Sequence, residues 1–117
     1  MLIDRLSELT GVTRKTIRYY ESIGLISIPA RRGNYRVYKD KDVAIISMIK
    51  KAQSLGFTLS EIKGIVLKKS ASNEFPVHMA CSIIDEKRTE LVKEIGRLTL
   101  LGQRLSELKD ELVSTFK

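Results

Sequence analysis

The chain has 117 residues, 43% of them hydrophobic, which is enough for one small domain or a domain with an extension. Its 21 Lys and Arg against 14 Asp and Glu give a net charge of +7, which favours a polyanionic partner. A single cysteine excludes an internal disulfide, and no stretch approaches the roughly 20 apolar residues of a membrane span, so we expect a cytoplasmic protein with no membrane partner.

The first predicted element is a short helix from Ile3 to Thr10. Leu2, Leu6 and Leu9 recur at helical spacing and are expected to form its buried stripe. Gly11 follows, and a glycine relaxes the backbone where a helix must stop. This pattern is typical of the first helix and turn of a helix-turn-helix.

The second helix is predicted to begin after Thr13, whose hydroxyl can cap it, and to end near Ser22. Periodicity turns Ile17, Tyr20 and Ile23 inward. The outward face then carries three cations and an aromatic ring, which suits a DNA major groove and its flanking phosphates. A solvated basic helix face is the alternative. The outward residues are Arg14, Lys15, Arg18 and Tyr19.

Two β-prone runs, 25–30 and 35–38, predict a hairpin with Gly33 and Asn34 at its turn. Pro29 cannot donate to a ladder, so the first run is an edge strand or barely a strand. Alternation places Arg36 and Tyr38 on one face of the second run, and Tyr35 and Val37 on the other. The cations crowding the tip favour a DNA-contacting wing over a solubilising hairpin. These cations are Arg31, Arg32 and Arg36.

Two further helices are predicted before residue 68. Asp40 is expected to cap a helix over 41–55 that ends at Gly56. The run Thr58-Leu59-Ser60-Glu61 fits a capping box that starts a short fourth helix. The polar run 68–74 has the composition of a linker. The expected inward positions are Val43, Ile46, Ile49, Ile62, Ile65 and Val66.

From Pro76 one helix is predicted to continue to about residue 115, roughly 60 Å at 1.5 Å per residue. Apolar residues recur at every seventh position, which predicts a coiled-coil seam. An apolar stripe is costly on a lone chain, so we expect the same helix of a second copy to cover it. The predicted dimerisation residues are Val77, Ile84, Leu91, Ile95, Leu98, Leu101, Leu105, Leu108 and Leu112.

Three motifs in the same order resemble the MerR family of bacterial transcription regulators. They occupy residues 17–26, 34–38 and 55–62. The resemblance implies a mainly α fold: a winged helix-turn-helix DNA-binding domain over 1–70, a linker over 71–75 and an antiparallel coiled-coil dimerisation helix over 76–117. It also implies a homodimer on a pseudo-palindromic promoter operator, which bends and untwists the DNA so that RNA polymerase can engage.

The pattern of the residues and the resemblance together predict twelve DNA-contacting residues. By resemblance, Thr13, Lys15, Arg18 and Tyr20 serve the recognition helix, and the hairpin serves as the wing. The full predicted set is Thr13, Arg14, Lys15, Arg18, Tyr19, Tyr20, Arg31, Arg32, Asn34, Tyr35, Arg36 and Tyr38.

Cys81 and His78 lie one helical turn apart near the start of the long helix. In metal-sensing members of the family a cysteine opens this helix, so the resemblance implies a possible metal site here. A zinc-like site wants about four ligands, which two residues per chain supply only with a second copy or an external ligand. A redox-reactive thiol and an inert buried cysteine are the alternatives. No other cofactor is expected.

Other classes of function fit the sequence less well. A DNA-architecture factor of the excisionase kind is the main alternative, but such proteins are generally short and lack a long dimerisation helix. One His, one Cys and no paired acids or phosphate-binding glycine loop indicate that the chain is not an enzyme. A pure coiled-coil adaptor would leave unexplained why residues 1–70 hold 14 cationic against 6 acidic residues.

Overall fold

A computed structural model describes residues 1–68 and 75–117. Those ranges contain α1 (Ile3–Thr10), α2 (Arg14–Ser22), β1 (Ala30–Arg32), β2 (Tyr35–Val37), α3 (Asp40–Ser54), α4 (Leu59–Val66) and α5 (Val77–Thr115). They divide into two compact units, Met1–Pro76 and Val77–Lys117. The predicted mainly α fold, a winged helix-turn-helix followed by a long helix, is confirmed. Most of the predicted linker lies outside the described residues.

The turn between α1 and α2 is built as the sequence predicts. Gly11 adopts φ 69° and its N–H donates to the Ser7 carbonyl, which ends α1 in a left-handed cap. The Lys50 ammonium donates to the Gly11 carbonyl at 3.1 Å. A Cβ at position 11 would lie 2.7 Å from that Nζ, which a flexible lysine can relieve by moving, so it is the positive φ that favours glycine here. Helix α2 then begins where the Thr16 N–H donates to the Thr13 hydroxyl at 3.2 Å.

The core of the first unit collects one or two side chains from each helix. Its largest fully buried members are Leu6, Ile17, Leu25 and Ile46. The predicted stripe on α1 is partly wrong, because Leu2 and Leu9 are 50% and 46% exposed. The buried side of α1 is instead centred on Leu6 and Thr10, one turn apart.

The hairpin forms, but its first strand begins later than predicted. Leu25 and Ile26 are buried without strand pairing, and both of their N–H groups donate to the Tyr20 carbonyl after α2. Strands β1 and β2 pair antiparallel, with Arg31 opposite Arg36. Gly33, at φ 63°, begins the two-residue turn between them. The three cations predicted for the tip, Arg31, Arg32 and Arg36, therefore all lie within the strands.

Helices α3 and α4 both start with a carboxylate at the third helical position. In α3 the Asp42 carboxylate accepts from the Lys39 N–H at 2.8 Å. The N-cap residue is therefore Lys39, and the predicted cap at Asp40, the first residue of the helix, is wrong. In α4 the predicted capping box is confirmed, because Thr58 and Glu61 exchange two hydrogen bonds of 3.1 Å each. These caps orient α3 and α4, which contribute Ile46, Ile49, Ile62 and Ile65 to the core.

Helix α5 is 39 residues long, as predicted, and has no buried residue. The six side chains at every seventh position, from Val77 to Leu112, are between 46% and 66% exposed. A stripe of this length exposed on a single chain indicates a partner surface. Among the described residues, no helix is long and apolar enough to cross a membrane.

Candidate nucleic-acid interface

Helix α2 presents the face that periodicity predicts. Its inward side buries Ile17 and Tyr20, at 0% and 2% exposed. The opposite side exposes Arg14, Lys15, Arg18 and Tyr19. The aromatic ring of Tyr19 is about half exposed among these cations, so the helix offers both charge and apolar contact to a partner.

A cleft of about 320 Å³ lies between the start of α1, helix α2 and the hairpin. Arg14 and Arg18 of α2 line one side, and Arg31 and Arg36 line the other. Asn34 and Tyr35 of the hairpin complete the rim. Cations that the sequence places in two separate motifs therefore share one concave surface, which matches a polyanion better than either motif alone.

An acidic residue that sequence reasoning missed lies at the mouth of this cleft. The Asp4 carboxylate accepts from the Arg14 guanidinium at 3.0 Å, and both side chains are exposed. The first turn of α2 contains cations and no acid of its own, although a helix N-terminus favours negative charge. Asp4 supplies that charge from α1. An exposed pair of this kind contributes at most about 1 kcal/mol, so its main effect is on the orientation of Arg14.

Arg36 and Tyr38 share one face of the hairpin, as alternation predicts, but that face points inward. The Tyr38 hydroxyl donates to Glu21 Oε1 at 2.5 Å, and Arg36 Nη1 lies 3.3 Å from Glu21 Oε2. Burial is the largest cause of a raised pKa of the Tyr38 phenol, and the neighbouring Glu21 carboxylate raises this pKa further. Tyr38 is only 2% exposed, so the prediction that it contacts DNA is corrected.

Tyr20 is corrected for the same reason. Its ring is 2% exposed, and its hydroxyl donates to Gln53 Oε1 of α3 at 2.8 Å. The side chain lies three residues after Ile17 and shares its buried face, which the resemblance alone did not reveal. Tyr20 therefore ties α2 to α3 instead of facing a partner.

The remaining predicted contacts form one exposed set, which we call the basic surface. Thr13 is exposed but its hydroxyl serves as the cap of α2, and Arg36 is partly buried against Glu21, so neither is included. Tyr35, at 67% exposed, is the most prominent aromatic residue of the set. The basic surface consists of Arg14, Lys15, Arg18, Tyr19, Arg31, Arg32, Asn34 and Tyr35.

Cys81 and His78 are both exposed near the start of α5, and Cys81 is a free thiol. Within 1–68 and 75–117, no three His, Cys, Asp or Glu side chains are grouped so as to hold a metal ion. The Cys81 thiol is exposed in the single chain, so the alternative of an inert buried cysteine requires a second copy to cover it. A site completed by a second copy stays a prediction.

Two family models match the chain. The model of the MerR helix-turn-helix regulatory proteins matches residues 1–69, and a MerR DNA-binding model matches residues 43–108. The HTH-type transcriptional regulator ZntR homologue of Haemophilus influenzae is 35% identical over 97% of this chain and 84% of its own length. The mercuric resistance operon regulatory protein of Bacillus cereus is 36% identical over 92% of this chain and 87% of its own length.

Solved structures agree with these sequence matches. A transcription regulator of Ralstonia metallidurans in complex with lead(II) has a TM-score of 0.63 at 26% identity, covering 93% of this chain and 85% of its own. The N-terminal part of the multidrug transporter activator of Bacillus subtilis has a TM-score of 0.55 at 25% identity, covering 84% of this chain and 93% of its own. The matches support a transcription regulator and not a DNA-architecture factor. The chain is a DNA-binding transcription regulator and belongs to the MerR family.

Proposed function

We propose that two copies of this chain bind one pseudo-palindromic operator in a promoter and distort the DNA to control access of RNA polymerase. The observation that carries this proposal is the convergence of α2 and the hairpin on one cleft lined by Arg14, Arg18, Arg31 and Arg36. A helix with free cations suits the major groove, and a basic hairpin beside it suits the adjacent backbone. Two such heads on one duplex can hold it bent.

The two parts of the basic surface have different proposed roles. Lys15 and Arg18 lie on the outer face of α2, where side chains can reach base edges in the major groove. Arg31 and Arg32 lie on β1, which is exposed throughout, and there they can neutralise phosphates. Base contacts select the operator, whereas phosphate contacts fix the register of the protein on it.

The proposed homodimer is supported by a symmetry in the α5 sequence. Four pairs of apolar residues lie at equal distances on either side of a point between residues 94 and 95, whereas Ile95 falls opposite Glu94. An antiparallel pair of identical helices has a two-fold axis, which requires such a pattern. Arg88 falls opposite Leu101, along which its aliphatic stem can pack. The other facing pairs are Val77 with Leu112, Cys81 with Leu108, Ile84 with Leu105, and Leu91 with Leu98.

Disulfide formation tests this register, because the native chain has one cysteine. In the antiparallel pair the two Cys81 residues are roughly 40 Å apart, so oxidation of dilute wild-type protein gives no covalent dimer. Leu108→Cys places a second thiol opposite Cys81 of the other copy, and we expect rapid covalent dimerisation on a non-reducing gel.

The matched control is Leu108→Cys combined with Cys81→Ser, which has one cysteine per chain and is expected to stay unlinked. Wild-type protein that forms a Cys81–Cys81 disulfide as fast as the Leu108→Cys variant would instead indicate a parallel pair.

The proposed signal is a metal ion acting through Cys81. Support comes from the names of the relatives, which refer to mercuric resistance and to heavy-metal dependence, and from the lead(II) complex of a structural neighbour. In the proposed dimer, Cys81 and His78 lie near the end of the other copy's helix, so that copy can add ligands to the two of each chain. An oxidant acting on the Cys81 thiol is the second candidate signal.

One experiment tests the operator and the signal together: selection of binding sites from random duplexes, followed by footprinting and promoter transcription. We expect two-fold symmetric sites, protection of both half-sites and enhanced cleavage at the centre. Zinc, mercury or lead salts should alter transcription with the wild type but not with Cys81→Ser. Selected duplexes without symmetry would contradict the proposed operator, and equal metal responses of the two proteins would exclude Cys81 as the sensor.

A further inference from the structure

We infer that Glu21 is a positioning residue of the DNA-binding unit. Its carboxylate holds the hairpin against the recognition helix, and this contact keeps the two halves of the basic surface aligned. The inference rests on the proposed DNA-binding function and assigns a role to Glu21 that requires no contact between Glu21 and DNA.

The geometry at Glu21 is that of a buried, fully engaged carboxylate. Its side chain is 5% exposed, although it lies on α2 only three residues after the exposed Arg18. Each oxygen meets a different hairpin side chain: Oε1 accepts from the Tyr38 hydroxyl and Oε2 pairs with Arg36. A buried charge is costly unless it is paired and hydrogen-bonded, so displacement of the hairpin would leave Glu21 in an unfavourable state.

The hairpin depends on this contact for its orientation. Each strand has three residues, and a two-stranded hairpin of this size is marginal by itself. Strand β1 is exposed along its whole length, whereas β2 is partly buried and leads into the buried Tyr38. The connection to the first unit is therefore made on the β2 side, where Tyr38 also exchanges two backbone hydrogen bonds with Met1.

The contact at Glu21 is transmitted across the hairpin to the cleft. Arg36 pairs with Glu21, and Arg31 lies opposite Arg36 in the strand register. Fixing Arg36 therefore fixes Arg31 relative to Arg18, which is on the same helix as Glu21. Arg18 and Arg31 line the two sides of one cleft, so the contact between Glu21 and Arg36 sets the width of that cleft.

Arg36 is committed to this contact, which revises its predicted role. One third of its side chain is exposed, and its Nε is buried without a hydrogen-bond partner in the part of the chain that the structure describes. A buried N–H without a partner is unfavourable, so the ion pair with Glu21 must outweigh this cost to keep the guanidinium in place. We therefore assign Arg36 a structural role. Arg36 thus acts through Glu21 on the hairpin and is omitted from the basic surface.

Glu21→Gln tests the inference because charge and positioning predict opposite signs. Removing a negative charge beside DNA should tighten binding, and a released Arg36 should add about one phosphate contact to the salt dependence. If Glu21 positions the hairpin, operator affinity should instead fall by about tenfold, with a smaller fall on non-specific duplex. Fluorescence anisotropy at several salt concentrations measures both quantities.

Hydrogen exchange supplies the readout that a loss of overall stability would not reproduce. We expect faster exchange of the amides in β1 and β2 of Glu21→Gln, with α4 unchanged. Glu8→Gln is the matched control, since Glu8 is an exposed carboxylate on α1 paired with Arg5. It removes the same charge without touching the hairpin.

Tyr38→Phe decides the question if Glu21→Gln does not fold. It removes one of the two hairpin contacts, retains the carboxylate, and should weaken operator binding in the same direction by a smaller factor. Operator binding by either folded variant that is unchanged or tighter, with unchanged exchange in β1 and β2, overturns the inference. Wild-type protein that binds its operator in the same assay makes this failure distinct from failure of the proposed function, in which the wild type itself would show no operator preference.

Discussion

Leu98→Asp is expected to convert the dimer into monomers and to lower operator affinity by about a hundredfold or more. Leu98 is 53% exposed in the single chain, so aspartate has little effect on the folding of one copy. In the proposed antiparallel pair the same position faces Leu91 of the other copy, where an unpaired carboxylate would lose its hydration. The symmetry axis repeats the substitution, so each dimer would bury two such charges. Sedimentation equilibrium measures the mass, and circular dichroism checks the helix content.

Gln103→Asp is the matched control, because residue 103 is exposed and lies away from the apolar stripe. It introduces the same charge into the same part of α5 and should leave both mass and affinity unchanged. A Leu98→Asp protein that still sediments as a dimer would mean that α5 is not the dimerisation surface. The loss of DNA affinity follows because a single head loses the effective concentration that its linked partner provides.

Elements whose limits depend on local chemistry could be predicted from the sequence. Gly11 and Thr13 set the turn between α1 and α2 through contacts within six residues, and the α4 capping box spans four. Helix α5 was predicted nearly to the residue, because no proline or paired glycine interrupts its apolar repeat. Each of these features can be recognised without knowing what the rest of the chain does.

Features that depend on distant contacts were missed or misassigned. Asp4 meets Arg14 across ten residues, and Glu21 meets Tyr38 across seventeen. Alternation correctly placed Arg36 and Tyr38 on one face of β2, but periodicity does not say which face is covered. The errors at Arg36 and Tyr38 therefore share one source: the side of the hairpin that packs on α2 is decided by a carboxylate on α2.

The arginines of the cleft divide into paired and unpaired groups, which the sequence does not distinguish. Arg14 is paired with Asp4, and Arg36 with Glu21. Over the described ranges, no ion pair is found for Arg18 or Arg31. An arginine without an ion pair need not break a contact with a protein carboxylate before it binds a phosphate or a base. Arg18 is therefore the strongest candidate for direct recognition on α2.

We expect Arg18→Ala to weaken operator binding by on the order of 1–3 kcal/mol, roughly fivefold to more than a hundredfold. The exposed guanidinium lies on the outer face of α2 and lines the cleft, and within 1–68 and 75–117 no ion pair is found for it. A bidentate contact to a guanine edge accounts for a loss of this size, whereas a single phosphate contact gives a smaller one. Anisotropy titrations on operator and scrambled duplexes measure the difference.

Arg18→Lys separates the two kinds of contact, because lysine keeps the charge but loses the planar fork of donors. If Arg18 reads a base, the lysine variant should relax sequence preference at one position in each half-site while its salt dependence stays near that of the wild type. If Arg18 contacts only phosphate, the lysine variant should bind almost normally with unchanged preference. Arg5→Ala removes an exposed arginine of α1 that is paired with Glu8 outside the cleft, and it should alter neither quantity. Equal affinity and preference in wild type, Arg18→Ala and Arg5→Ala would remove Arg18 from the interface and leave recognition to Lys15 and the hairpin.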